Sequence, residues 1–218
     1  MRIRTPRCRS AVSLAVAGAL AVTLVPMTAP PAAAQEYCRQ IDAHPRYYDT
    51  SPAREPGRFG YGVLFHIVAT MCLLNKERQR LGLREVEESA ELRAAARAHL
   101  LASLEQKWWG RSDPHADPRV SGTGSQQIIK RIQAAGYCAG GRSWKGYEIL
   151  YAGWGSGGTP RSAVHWWLNV STQGHDRVIR DPEHTHFGVQ ARGGSAYRAD
   201  DGKSGAATYV VTFGSCQR

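Results

Sequence analysis

Apolar residues recur at helical spacing from Val63, where Leu64, Ile67, Val68, Met71, Cys72 and Leu74 follow an i, i+3, i+4, i+7 pattern until Leu81-Gly82 breaks it. A second helix is predicted from Ser89, whose hydroxyl suits an N-cap, with Glu91 favourably placed in its first turn. Its inward face reads Leu92, Ala95, Ala96, His99, Leu100 and Leu104, so His99 is expected to be a packed, hydrogen-bonded core histidine. A third helix over residues 125–135 carries Ile128, Ile132 and Ala135 on one face and stops at Gly136. Thr159-Pro160 opens a fourth, a capping hydroxyl followed by proline where no amide is needed. Val164, Trp167, Leu168 and Ser171 share its face, which makes Trp167 a core anchor.

Strands are predicted at residues 145–152, 186–192 and 207–213, the last two joined by a polar Gly/Asp/Ser segment. Helices first, then strands interleaved with a helix, predict an α+β fold with a small antiparallel sheet. Residues 35–62 show neither period. With Pro45, Pro52, Pro56 and five aromatics, they are expected to form an extended arm packed on the domain surface.

The amino terminus reads as an address. Arg2, Arg4, Arg7 and Arg9 precede the apolar run Ala11–Val25, and Ala32-Ala33-Ala34 offers a small-residue cleavage pattern. Residues 1–34 are therefore expected to be a signal peptide, and the remainder a secreted protein without a transmembrane segment. Beyond that leader stand Cys38, Cys72, Cys138 and Cys216, an even number that in an exported chain predicts two disulfides, with three pairings possible. Cys38–Cys72 would tether the arm to the first helix, and Cys138–Cys216 would join the start of one strand to the end of the last. That is the expected pairing.

The formal net charge is +10, part of it in the leader. The basic residues are scattered and no aromatic-basic nucleic-acid motif occurs, so no nucleic-acid partner is expected. There is no Gly-x-Ser-x-Gly elbow, no His-Glu-x-x-His helix and no Walker loop. The glycines around Trp154 lack the lysine and hydroxyl that a phosphate loop requires. Candidate chemistry rests on His115, Glu148 and His175, since two imidazoles and a carboxylate suffice for a divalent metal or a polar ligand. In Glu183-His184-Thr185-His186, extended backbone would turn both histidines to one face, and that face is expected to meet water.

Several stretches in order carry a resemblance. Leu73-Leu74-Asn75-Lys76-Glu77-Arg78 with Leu81-Gly82-Leu83, Leu92 to His99, Ile132 to Tyr137, Glu148 to Gly153, and Trp167-Leu168-Asn169 to Gly174-His175 are similar to the CAP superfamily, the SCP/PR-1/antigen 5 domain, in its compact bacterial form. Asp181-Pro182 and Phe187-Gly188-Val189 continue it. The resemblance covers residues 64–214 and places a domain at 63–216. It implies an α-β-α sandwich with a polar cleft in which His115, Glu148 and His175 stand for two histidines and one acid. The position of the second acid is Val170, and Ile149 replaces the usual Asn; His165 lies five residues before Val170 and points away from it.

What the resemblance implies about function is a secreted, non-enzymatic module that binds an extracellular ligand, a lipid or a cell-envelope component in its cleft. The alternatives are a hydrolase dependent on zinc or another divalent metal held by His115 and His175, and a sterol or fatty-acid carrier. A monomer is expected.

Overall fold

The computed structural model describes residues 33–54 and 61–218. The predicted leader lies outside them except for Ala33 and Ala34, and so do residues 55–60 of the predicted arm.

Seven α-helices and four strands follow along the described chain: α1 (Ala33–Asp42), α2 (Arg46–Asp49), α3 (Tyr61–Arg80), β1 (Glu87–Glu88), α4 (Ala90–Gln106), α5 (Gly124–Ala134), β2 (Ser143–Gly153), α6 (Pro160–Asn169), α7 (His175–Arg180), β3 (His186–Gly193) and β4 (Ala207–Gln217). The sheet order is β1-β3-β4-β2. β4 pairs antiparallel with both neighbours, whereas the two residues of β1 pair parallel with β3, so the sheet is mixed and not wholly antiparallel as the sequence suggested. No periodicity marks Glu87-Glu88. They become a strand because the chain is pinned to β3 on its way into α4, with Ser89 N–H donating to the Phe187 carbonyl.

Helices cover both faces of the sheet. On one side α3 and α6 bury Ile67, Met71, Leu74, Val164 and Trp167 against Ile149, Val189, Tyr209 and Val211. On the other, α4 sets Ala96 and Leu100 against Leu150 and Val210, while α4 and α5 share Leu92, Ala95 and Ile132. This is the expected α-β-α sandwich. Gly188 makes the α4 approach possible: a Cβ there would meet Arg93 N at 2.0 Å and the Leu92 carbonyl carbon at 2.2 Å. The helix caps predicted at Ser89 and Thr159 are made, the hydroxyls accepting from Leu92 N and Ser162 N.

The arm corrects its expectation. It is not extended: α1 and α2 dock on α3, burying Ile41, Tyr47 and Tyr48 against Ala69 and Cys72. Helices this short are stabilised by what they pack on, not by their own propensity. The Cys38–Cys72 disulfide fastens the contact, and Cys138–Cys216 ties the turn after α5 to the end of β4, as paired from the sequence. Leu64, placed on the inward face by its spacing, is instead 50% exposed.

Two buried polar side chains hold the loops that follow α3. Asn75 forms a two-way pair with the Val86 backbone, 3.0 Å in each direction. The fully buried Arg78 guanidinium donates to the carbonyls of Arg84, Ile179, Asp181 and His184. Four carbonyls from two distant loops thus converge on one cation, which fixes where α7 ends and β3 begins. Among the described residues no helix is long and apolar enough to cross a membrane.

Candidate functional site

β2 is an edge strand, and both helical layers reach its free side. The α4–α5 loop brings His115 from one layer, and the start of α7 brings His175 from the other. Both line an open cavity of about 910 Å³, together with Leu150 to Trp154 from the end of β2.

His115 is set by a chain of local bonds. Asp113 Oδ1 accepts from its backbone N–H at 2.9 Å, Trp108 Nε1 donates to the Asp113 carbonyl, and His99 Nε2 donates to the Pro114 carbonyl at 3.0 Å. The ring then meets Glu148, with His115 Nδ1 3.0 Å from Glu148 Oε1. Arg131 on α5 closes the group: its Nη2 donates to the same oxygen at 2.8 Å and to the His115 carbonyl at 3.2 Å.

Glu148 does not line the cavity. Its side chain is 1% exposed and sits between His115, Arg131 and His99. Burial pushes its carboxyl up, but the charges and hydrogen bonds of His99, His115 and Arg131 outweigh burial and hold the pKa down at about 2. It is an anion, already neutralised by a guanidinium. His99, buried beside it and edge-on to Trp108, is pushed down to about 4 by burial despite the carboxylate, and is neutral at neutral pH.

His175 follows Gly174, whose φ of 80° turns the chain into α7. Its Nδ1 lies 2.7 Å from Ser171 Oγ, and its ring packs against Trp166 at 5.3 Å between centroids. Burial, with His115 nearby, lowers its pKa to about 4. Both imidazoles thus make their protein hydrogen bonds through Nδ1, leaving Nε2 for whatever enters the cavity.

A three-ligand zinc centre does not fit this arrangement. Glu148 is turned into the wall with its charge engaged, and among the described residues no three His, Cys, Asp or Glu side chains are placed to hold one ion. What a divalent ion would find is two imidazoles. Val170, where the resemblance led us to expect the second acid, is the exposed C-cap of α6, and His165 is exposed and directed to Asn169.

The His184/His186 expectation is corrected. His184 is 1% exposed and stacks on Phe213, on the α3 side of the sheet, with neither ring nitrogen hydrogen-bonded. His186 bonds Tyr137 Oη at 3.0 Å on the α5 side. The chain is not yet in strand at residue 184, so the alternation assumed from spacing fails, and the two rings never share a face.

Sequence reading missed Arg131, and took His99 for core alone. The signal for Arg131 was present: it lies three residues after Ile128 and one before Ile132, close to the buried stripe of α5, and a cation there demands a buried anion. His99 is the core histidine expected, yet its hydrogen bond to the Pro114 carbonyl also positions the peptide that carries His115.

A small sheet between two helical layers, with a cleft at its edge, is a fold that this chain shares with solved structures. It is similar to an extracellular protein containing an SCP domain from Bacillus anthracis str. Ames, at 16% identity and a TM-score of 0.51, over 75% of this chain and 45% of that one. The match therefore spans less than half of the Bacillus protein. An outer surface protein from Borrelia burgdorferi aligns over 67% of this chain and 90% of its own, at 20% identity and a TM-score of 0.48. A cysteine-rich secretory protein from Staphylococcus aureus subsp. aureus Mu50 aligns over 70% and 38%, at 12% and 0.43. No protein-family profile matches the sequence, and no curated protein does.

Proposed function

We propose that this is a secreted, non-enzymatic binding module that holds an extracellular ligand or a cell-envelope component in the cleft between His115 and His175. The observation that carries it is the state of Glu148: a carboxylate neutralised by Arg131 and sealed from the cavity is a poor base and a poor metal ligand, but it fixes the His115 ring as a positioned recognition group. The two disulfides suit an oxidising compartment, as does the likeness to a Bacillus protein described as extracellular. The test is turnover of ester, amide and phosphoester substrates with and without added zinc. No hydrolysis is expected. Hydrolysis that disappears in Glu148→Gln, with the fold retained, would overturn the reading in favour of a metal-dependent hydrolase.

A second reading, carriage of a sterol or fatty acid, draws support from another place. An apolar groove of about 480 Å³ runs between α1 and α3, lined by Ile41, Leu64, Phe65 and Val68, with Arg93 and Arg97 at its margin. Lipid extracted from the purified protein and lost in Leu64→Glu would establish it; a lipid-free preparation that takes up no fatty acid would remove it.

A further inference from the structure

The cleft carries more aromatic surface than two histidines require. Trp154 is 51% exposed at the cavity edge, and Lys203 lies 4.8 Å from its ring centroid, so a cation covers one face and leaves the other open. Trp166 and Tyr151, with centroids 5.7 Å apart, continue the wall towards His175. Tyr197, edge-on to Trp109, lines it as well. Polar residues are interspersed: Gln173 and Asp200 line the same space, and one Asp200 carboxylate oxygen accepts from Ser195 Oγ at 2.7 Å.

Resting on the binding-module reading above, we infer that the ligand of this cleft is a β-1,4-linked pyranose chain. Such chains are flat ribbons. Their ring hydroxyls are equatorial, so each ring offers an apolar face of axial C–H groups and a polar rim. Open indole and phenol faces match the first, and amide, carboxylate and imidazole Nε2 groups match the second. A purely apolar ligand would strip water from the imidazole Nε2 atoms and the Gln173 amide without replacing its hydrogen bonds.

The edge of β2 argues against the other obvious occupant, an extended peptide added as a fifth strand. Trp167 Nε1 already donates to the Leu150 carbonyl at 2.8 Å, which blocks the ladder where the strand meets the cleft. Glycan cleavage is not part of the inference. Glycoside hydrolysis uses a pair of carboxyl groups across the bond, and among the described lining residues Asp200 supplies the one carboxylate.

The experiment is calorimetric titration of the full chain with cellotetraose and with the tetramer of β-1,4-linked N-acetylglucosamine, followed by chromatography of the sugar. Binding of at least one tetramer is expected, weakened at least tenfold in Trp154→Ala, an exposed position whose replacement leaves the fold intact, and several-fold in Gln173→Ala. Binding that Trp154→Ala does not weaken overturns the inference, as does the absence of any binding tighter than about 1 mM for both tetramers. So does a proline-rich peptide that binds through Trp154 and competes where the sugars do not. The binding-module reading survives all three of those results. If a tetramer is bound through Trp154 and also cut, the sugar assignment stands and the non-enzymatic reading falls.

Discussion

Arg131 and Glu148 form a buried ion pair whose members need each other. Replacing Glu148 by Gln leaves a guanidinium that is 15% exposed facing a neutral amide, and breaking such a pair from one side costs about 3–5 kcal/mol. Urea denaturation of Glu148→Gln is expected to show a loss of that order, while Arg131→Met combined with Glu148→Leu recovers much of it. A loss below about 1 kcal/mol would mean that the pair is solvated and the carboxylate free for chemistry. The imidazoles set a pH dependence of definite sign. His99 and His175 have folded pKa values of about 4, below the ordinary 6.5, so the unfolded chain takes up protons first as pH falls. Stability is full above about pH 6.5 and declines through pH 4, each tenfold difference in proton affinity being worth about 1.4 kcal/mol. Urea midpoints at about pH 7.5, 5.5 and 4.5 measure this, and His175→Asn is expected to flatten the decline.

Among the elements, the contact between α4 and β3 places a tight constraint on sequence. Gly188→Ala must force the Arg93 and Leu92 backbone away from the sheet, and a loss of about 3 kcal/mol is expected in thermal unfolding. Helix α4 carries His99, and β2 beside it carries Glu148, so the same substitution should disturb the cleft; ligand affinity measured well below the melting temperature reads that second effect. Losing the Thr159 cap of α6 to Ala is milder, about 1 kcal/mol. Element type was legible wherever a period ran long enough: α3, α4, α5 and α6 begin within a few residues of their expected starts, and α3 and α5 end close to their expected stops. It was illegible in α2, α7 and β1, which are too short to show a period and take their form from α3, from the Arg78 carbonyl cluster and from β3, and in α1, whose start was read as the end of the leader.

For the whole molecule, two covalent ties close loops of different size, 34 and 78 residues apart in sequence. In the chain-entropy view the longer loop gains more, so replacing Cys138 and Cys216 by Ser is expected to destabilise by about 0.7 kcal/mol more than replacing Cys38 and Cys72. Equilibrium denaturation of the two double variants gives the order directly. The reverse order would show that docking of α1 and α2 on α3, and not loop closure, governs the cost.

The sequence by itself determined the long helices and the three main strands, because side-chain periodicity is a local property of the backbone. It also determined which residues had chemistry to offer: His115, Glu148, His175 and four cysteines. Only the tertiary structure decided what that chemistry became. Glu148 faces inward because β2 places it opposite Thr212 on the face that α5 covers, and there Arg131 meets it. His184 is buried because the Arg78 guanidinium draws its carbonyl towards α3. Exposure, charge state and partners depend on residues remote in the chain, and a spacing pattern holds no record of those distances.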